Sequence, residues 1–351
     1  MEPPEIMRGS LTDQLKREAR RLGFDLAGAT AAVRPPGIHR FRRWLENGFA
    51  GDMHYMAERV ESYEHPRHVL EGAKSIVVLA TNYRSEEPMP PGPGQGAVSR
   101  YAWGGDYHDV IFSRLKRLAD FHRQLTPEAK VRGVVDTAPL FERELAQLTG
   151  LGWIGKNTAL ITEKFGSWVF LAALLTSEEL RYDEPVAAEH CGSCTACLDA
   201  CPTGALLEPY RVDARKCVSY LTVELRELPP PELRTPIGQR FFGCDACQDA
   251  CPFNRDTPSA SADNLESFEP RLGMNPIDLA ELFTMDEEAL RQRFRRTPLW
   301  RAKRRGLLCN AAVVLGNHPH EAAMSALQEG LNDSDPMVRE ACEWTLKQAG
   351  E

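Results

Sequence analysis

The chain has 351 residues, with 42 Lys and Arg against 50 Asp and Glu and a formal net charge of −8. This length exceeds that of one ordinary domain, so we expect two or three domains, and a hydrophobic content of 42% excludes a wholly disordered chain. The longest apolar run, residues 169–175, is far shorter than the ~20 residues of a membrane span.

Residues 1–180 alternate helical and strand-like patterns, which predicts an α/β domain. Residues 1–5 are acidic and hold no apolar segment, so we expect no signal peptide and a cytoplasmic location. Ser10 is placed to cap a helix over residues 11–22, which Gly23 ends. The patterns that follow predict a strand over 75–83, a loop over 87–96, a helix over 106–125, a strand over 131–136, a helix over 138–150, and a hairpin of residues 158–162 and 167–176 around 164–166.

The next region, residues 181–258, is rich in Cys and Pro and holds eight of the ten cysteines. Such a segment buries little apolar surface by itself, and disulfides seldom persist in the cytoplasm. The cysteines therefore predict a metal centre that stabilises this region. The run Cys191-x2-Cys194-x2-Cys197-x3-Cys201-Pro202 is the bacterial ferredoxin pattern, in which the fourth cysteine ligates the other cluster of a pair.

A second run, Cys244-x2-Cys247-x3-Cys251-Pro252, has Phe241 where its first cysteine would stand, and Cys217 can supply the missing thiolate. We therefore predict two 4Fe-4S clusters. Their ligands would be Cys191, Cys194, Cys197 and Cys251 for one cluster, and Cys201, Cys217, Cys244 and Cys247 for the other. Zinc is the alternative, since paired cysteines also bind it. Cys309 and Cys342 are predicted to be small buried side chains.

Residues 259–351 combine a basic segment with helical patterns. The basic segment, residues 291–305, holds eight Arg and Lys and no acid, which predicts contact with a polyanion such as RNA. Within it, Phe294 and Trp300 are candidates for stacking on bases. A solvated helix face is the alternative. The patterns over 306–317, 320–331 and 337–348 resemble a short helical repeat of the HEAT type, which must dock on the rest of the protein.

Three short motifs precede the cysteine runs: SRYAWGGDYH at 99–108, VDTAPLFER at 135–143 and GWIGKN at 152–157. In this order, and with the ferredoxin pattern, they resemble the epoxyqueuosine reductase family over nearly the whole chain. The resemblance implies that the α/β domain binds cobalamin. It also implies that the protein reduces the epoxide of epoxyqueuosine at the wobble position of a tRNA anticodon. An external electron donor would feed the clusters, and we expect a monomer.

The same resemblance makes Asp136 the proton donor to the epoxide oxygen. Conversion of an epoxide to an alkene takes two electrons and releases the oxygen as water, so the leaving oxygen needs a proton that a positioned carboxylic acid can give. We expect burial beside an apolar macrocycle to raise the pKa of Asp136. The alternative is that Asp136 caps the helix predicted over 138–150.

The candidate cobalamin contacts lie in or near the matched segments: Arg59, Arg100, Tyr101, Tyr107, Asp136, Trp153, Lys156 and Ser167. Core packing is the alternative for Trp153 and Tyr101, and a solvated surface charge is the alternative for Lys156 and Arg59. Residues 52–57 nearly match a motif that places a His on cobalt, but Ala57 replaces its glycine. We therefore expect His54 to be an ordinary residue. The resemblance implies cobalamin bound base-off, with no protein His ligand.

Two other functions remain open at this stage. A reductive dehalogenase-like enzyme would use the same cofactors on a small substrate, and a non-enzymatic ferredoxin would only carry electrons. The basic segment and the C-terminal helices argue against the first. No GxGxxG fingerprint follows a strand and no Walker motif is present, so NAD, FAD and ATP have no support in the sequence.

Overall fold

The computed structural model describes residues 9–186 and 190–350. Residues 1–5, for which we predicted no signal peptide, lie outside the described residues. No helix in the described part of the chain is both long and apolar enough to span a membrane.

The described helices are α1 Leu11–Arg21, α2 Ile38–Glu46, α3 His54–Glu58, α4 Tyr107–Leu125, α5 Glu142–Leu148, α6 Ala196–Asp199, α7 Val218–Val223, α8 Pro231–Ile237, α9 Ala246–Asp249, α10 Ala262–Ser267, α11 Glu287–Phe294, α12 Lys303–Asn317, α13 Glu321–Gly330 and α14 Pro336–Gly350. The strands are β1 Leu26–Ala31, β2 Ser75–Asn82, β3 Gln95–Val98, β4 Val131–Val134, β5 Trp153–Ile154, β6 Leu160–Ile161, β7 Val169–Thr176, β8 Leu206–Glu208, β9 Arg211–Val212, β10 Arg240–Phe242 and β11 Ile277–Asp278.

A four-stranded sheet of order β1-β2-β7-β4 forms the centre of the N-terminal region. Each neighbouring pair of its strands is antiparallel. Successive side chains of a strand point to opposite faces, so the side chains of β2 pack in two separate cores. Val77 and Leu79 pack with α1 and α4 on one face, whereas Ile76 and Val78 pack with α5 on the other. Helices therefore cover both faces of the sheet.

Local signals at the starts of helices are confirmed. The Ser10 side chain accepts from the backbone N–H of Asp13 and closes a capping box at α1. Asp106 caps α4 in a similar way, through the N–H of His108. The helix predicted over 138–150 is shorter, because α5 begins at Glu142 and has Phe141 at its N-cap. Asp136 therefore does not cap it, and that alternative is wrong.

The predicted hairpin of residues 158–162 and 167–176 is also wrong. An isolated bridge joins Thr162 to Gly166 of the predicted turn, and among the described residues no strand pairing joins the two segments. Strand β6 pairs instead with β5, which precedes it, whereas β7 pairs with β2 and β4 inside the large sheet. The apolar side chains of β7 need partners on both faces, and the large sheet supplies them.

A second sheet and core join three regions of the chain. Strand β3 lies between β10, from the cysteine-rich region, and β11, from the C-terminal region. Around this sheet, Trp103, Phe241, Phe242, Phe294 and Leu307 are buried in one apolar cluster. The three predicted domains share this core, and their boundaries after residues 180 and 258 stay predictions.

The three C-terminal helical patterns are confirmed as α12, α13 and α14. Cys309 and Cys342 are buried among the apolar side chains of α12 and α14, as predicted. Their assignment to a HEAT-type repeat stays a prediction.

We expect Leu174→Ala to lower the free energy of unfolding by about 2–5 kcal/mol, because it opens a cavity under β7 where Leu174 is fully buried. Chemical denaturation with and without the substitution measures the change. Leu272→Ala is the matched control, since Leu272 is fully exposed. A loss below about 0.5 kcal/mol at Leu174, the range of ordinary surface substitutions, would contradict this description of the core.

Candidate active site and cysteine quartets

Asp136 lies two residues beyond β4, and its side chain is held by two residues of the first turn of α4. His108 Nε2 lies 2.8 Å from Asp136 Oδ1, and the Tyr107 hydroxyl donates to Oδ2. The other ring nitrogen of His108 lies 2.7 Å from Asp106 Oδ1. The carboxyl group of Asp136 nevertheless keeps 43% of its side-chain surface exposed. It is therefore both anchored and accessible to a ligand.

The pKa of Asp136 is lowered, which corrects the raised value expected from burial. Burial does act to raise it, but hydrogen bonds from His108 and Tyr107 and the charges of His108 and Arg301 outweigh that effect. For His108, burial acts to lower the pKa, but its contacts with Asp106 and Asp136 raise it to about 9. At neutral pH the proton of this pair therefore resides on His108.

Aromatic rings pack next to the Asp136 carboxylate. Tyr107 stacks on Phe170 of β7 at a ring-centroid distance of 4.2 Å. Tyr101 meets Tyr107 edge-on at 6.3 Å and lies 6.4 Å from Phe242, two residues before Cys244. Burial raises the pKa values of Tyr101 and Tyr107 far above neutrality, so both hydroxyls stay protonated. The rings link the Asp136 site to the second cysteine run.

Charged groups from other elements border the same space. Arg301, in the basic segment, interacts electrostatically with Asp136, Tyr101 and Tyr107 and lies 4.0 Å from Glu224. Both Arg301 and Asp136 also act on the exposed Tyr55 of α3. Arg59, a predicted cobalamin contact, is exposed next to α3 and its charge reaches the same tyrosine. The residues around the Asp136 site therefore come from the N-terminal region, from the C-cap of α7 and from the C-terminal region.

Glu142 is a second carboxyl group near Asp136. Burial raises the pKa of Glu142 to about 8, and the charge of Asp136 adds to the effect. Its Oε1 atom is buried and has no hydrogen-bond partner in the described structure. Glu142 is therefore mostly neutral at pH 7.

The cysteines fall into two quartets. A cavity of about 40 Å³ is lined by Cys191, Cys194, Cys197 and Cys251, together with Lys156, Asn157, Ile161, Pro252 and Phe253. In the other quartet, burial raises the pKa of the Cys247 thiol, and Cys244, Cys217 and Cys201 add to the effect. The cysteines of each predicted quartet therefore lie near one another, and the crossed ligation stays a prediction.

The first quartet lines a cavity. Within residues 9–186 and 190–350, no three His, Cys, Asp or Glu side chains are arranged to hold a metal ion. A cluster needs its thiolates spread around a core of iron and sulfide, whereas zinc draws its ligands to about 2.3 Å from one ion. The cavity lined by the first quartet is compatible with a cluster core.

Two predicted cobalamin contacts, Arg100 and Ser167, bind residues in and next to the second cysteine run. Arg100 is buried, pairs with Asp245 at 3.8 Å and with Asp249, and lies over the Trp168 ring. Ser167 accepts hydrogen bonds from Gln248 at 3.0 Å and from Asn254 at 2.9 Å.

Two other predicted contacts lie beside the first quartet. Lys156 Nζ donates to the backbone carbonyls of Gly192 at 2.6 Å and Cys194 at 2.8 Å, so this charge is not simply solvated. Trp153 is buried and packs edge-on against Phe253. Its indole N–H has no partner among the described residues. Both residues therefore support or border the first quartet.

The basic segment is less uniformly charged in the fold than in the sequence. Arg304 pairs with Asp333 at 2.5 Å and Arg305 with Asp335 at 2.5 Å, across the turn before α14. Arg295 and Arg296 are exposed. Phe294 is fully buried, so its predicted stacking on bases is wrong: it faces the core as the last residue of α11. Trp300 is partly exposed and lies next to Lys303.

His54 is the first residue of α3 and is exposed. Its role as an ordinary residue stays a prediction.

Known proteins resemble the chain over nearly its full length. An epoxyqueuosine reductase from Pseudomonas aeruginosa is 39% identical over 358 residues, covering 100% of this chain and 97% of the relative. A crystal structure of epoxyqueuosine reductase with an epoxyqueuosine-modified tRNA-Tyr stem loop superposes with a TM-score of 0.87 at 31% identity, covering 97% of this chain and 90% of that one. A structure of a Bacillus subtilis epoxyqueuosine reductase has its catalytic aspartate loop swung out of the active site. It superposes with a TM-score of 0.88 at 30% identity, covering 97% of this chain and 91% of that one.

Two family models also match. One is described as "Epoxyqueuosine reductase QueG, DUF1730" and covers residues 64–137. The other is a 4Fe-4S double cluster binding domain over residues 190–254. The chain belongs to the epoxyqueuosine reductase family. The resemblance read from the short motifs is therefore confirmed, and the dehalogenase and simple ferredoxin alternatives are not favoured.

Sequence reasoning missed three residues of the Asp136 site. His108 and Glu142 stand inside the matched motifs, but motif membership alone did not mark them as neighbours of Asp136. Arg301 was read only as part of an RNA-binding segment. A signal for His108 was present, because an acid two residues before a His at the start of a helix can both cap the helix and orient the ring.

Proposed function

We propose that this protein reduces epoxyqueuosine to queuosine at the wobble position of tRNA anticodons. The observation that carries the proposal is the 39% identity to an epoxyqueuosine reductase across the whole chain. The relative solved with an epoxyqueuosine-modified stem loop supports tRNA as the substrate. Anaerobic turnover of epoxyqueuosine-containing tRNA, with and without cobalamin, tests it directly. Conversion of the tRNA only in the presence of cobalamin is the expected result.

The two quartets would hold the two 4Fe-4S clusters with crossed ligation. The shared cavity supports Cys251 as the fourth ligand of the first cluster, although it belongs to the second run. Cys201, Cys217 and Cys244 each raise the pKa of Cys247, and Cys201 also raises the pKa of Cys217. This proximity supports these four cysteines as the ligands of the second cluster. Electrons from an external donor would enter here one at a time.

Cobalamin would bind near the Asp136 site. The unpartnered indole N–H of Trp153 is a buried donor that an amide oxygen at the edge of the corrin would satisfy. Tyr101, Tyr107, Arg59 and Asp136 remain candidate contacts. Arg100, Lys156 and Ser167 would act by holding the cluster loops, because their polar groups already bind those segments. When bound, cobalamin would supply the electrons that reduce the substrate.

Asp136 would give a proton to the leaving oxygen of the epoxide. Its position after β4, its exposure and its hydrogen bonds from α4 support this role. The relative with a swung-out catalytic aspartate loop supports placing a catalytic acid on a loop of this kind. The proton must come from the Asp136–His108 pair, since the carboxylate alone is ionised at neutral pH.

We expect Asp136→Asn to lower turnover by about 10²–10⁴-fold, because the amide keeps the shape but cannot donate an acidic proton. Iron content and tRNA affinity should not change. Single-turnover kinetics with the tRNA substrate measure the effect. Asp120→Asn, on an exposed part of α4, is the control. Near-normal turnover of the Asp136 variant would refute the catalytic role.

We expect Cys217→Ala to remove about half of the iron, because it deletes a ligand of the second cluster and leaves the first quartet intact. Iron and sulfide analysis with electron paramagnetic resonance of the reduced protein measures the loss. Cys309→Ala is the matched control, since Cys309 is buried in α12 outside both quartets. Zinc in place of iron, or full iron retention in the Cys217 variant, would contradict the ligand assignment.

We expect Arg295→Glu with Arg296→Glu to weaken tRNA binding and to reduce its salt dependence, because phosphate contacts release counterions. Both side chains are exposed, so the fold should persist. Titration of tRNA at several salt concentrations measures the slope. Lys116→Glu with Arg117→Glu, exposed on α4, makes the same change of charge outside the basic segment. Equal effects of the two double variants would rule out a specific role for the basic segment.

A further inference from the structure

His108 bridges two carboxyl groups with its two ring nitrogens. Nδ1 lies 2.7 Å from Asp106 Oδ1 and Nε2 lies 2.8 Å from Asp136 Oδ1. The ring is fixed further by stacking on Tyr107 at 4.2 Å, and its side chain is only 18% exposed. Asp106 is itself immobilised as the N-cap of α4. The bridge therefore has one rigid end, at Asp106, and one end on the loop that carries Asp136.

When both carboxyl groups are ionised, this geometry requires one protonation state of the ring. An ionised carboxylate can only accept hydrogen bonds, so both ring nitrogens must donate if both contacts are hydrogen bonds. The imidazolium form satisfies that condition and the neutral form does not. The direction of the pKa shift agrees, since the two carboxylates raise the pKa of His108 to about 9 despite its burial.

The proposed reaction makes a particular demand on proton supply. Loss of an epoxide oxygen as water breaks two C–O bonds and converts the C–C single bond between the same carbons into a double bond. It consumes two electrons, which the clusters carry, and two protons. Asp136 can deliver only one proton before it must be protonated again. A group within hydrogen-bond reach of Asp136 that returns a proton to it would let the same carboxyl group serve both transfers.

We propose that His108, oriented by Asp106, is the proton reservoir that reloads Asp136. The inference rests on the proposed role of Asp136 as donor. One proton passes from His108 Nε2 to Asp136 Oδ1 and on to the substrate oxygen, and solvent then reprotonates the neutral ring for the second transfer. Asp106 is a positioning residue, because it acts through His108. Asp136 can thus be ionised at rest and still donate.

The other titratable groups near His108 and Asp136 are less suited to supply a proton to Asp136. The Tyr107 hydroxyl donates to Asp136, but burial raises its pKa so far that it keeps its proton. Arg301 stays protonated and contributes charge only. Glu142 holds a proton at neutral pH, but no hydrogen bond joins it to Asp136 among the described residues. His108 combines an exchangeable proton with direct contact.

The protonation of His108 can be measured without any substrate. In full-length, oxidised protein labelled with ¹⁵N-histidine, the His108 resonances are assigned by comparison with His108→Gln. We expect the imidazolium signature to persist through neutral pH and to disappear as the pH rises through about 9. Asp106→Asn should move that transition to lower pH, while Asp109→Asn, exposed in the same turn, should leave it in place. A wild-type transition near the ordinary value of about 6.5 would overturn the proposal.

Kinetics then test whether this proton is used. In the wild-type enzyme, the single-turnover rate should hold through neutral pH and fall as the pH rises through about 9, since the imidazolium is lost there. In Asp106→Asn the fall should begin at lower pH with tRNA affinity unchanged. His108→Gln, which can still donate one hydrogen bond, should lose about 10²-fold in rate. Asp109→Asn, exposed in the same turn of α4, should keep the wild-type profile.

The failures of the two proposals are distinguishable. If Asp136→Asn turns over normally, the donor role of Asp136 is wrong whatever the histidine spectra show. If Asp136→Asn is inactive but His108→Gln keeps the wild-type rate and pH profile, Asp136 is a donor and the reservoir is refuted. Iron content and thermal unfolding of each variant identify misfolding, and Asp106→Asn tests the inference with His108 itself intact.

Discussion

The organisation of this protein depends on the strand β3, which pairs with one strand from the cysteine-rich region and one from the C-terminal region. Main-chain hydrogen bonds fix the register of three distant segments, and the apolar cluster around them excludes water. The segment that follows β3 carries Tyr101 and leads into the first turn of α4. The same core carries the segment before α12, which brings Arg301 to Asp136. The active site is therefore assembled by tertiary pairing.

That origin explains what could be predicted from the sequence. The caps of α1 and α4 and the spacing of the cysteines are local signals, so the helix starts and the two quartets follow from short stretches of chain. The position of Asp136 after a strand was also a local signal. The pairing of β7 with β2 and β4 was not, because both partner strands lie far from β7 in the sequence.

Electrostatic properties were the least predictable. The basic segment has no acid within it, yet Asp333 and Asp335 neutralise two of its arginines from a turn about thirty residues away. The lowered pKa of Asp136 likewise depends on His108 and Arg301, which reach it from two other elements. Phe294 sits in a run of arginines but turns inward, because a helix alternates its faces every few residues. Charge counted along a sequence does not give charge on a surface.

The shared core also limits how the electron-transfer region could be used outside this protein. A fragment cut at the ends of the cysteine-rich region would keep its thiolates but expose Phe241 and Phe242, which are fully buried in the intact chain. A patch of large aromatic side chains facing water favours aggregation. We therefore expect the isolated cysteine-rich region not to fold as a soluble domain. Changes in this region would have to be matched by changes in the helices that cover it.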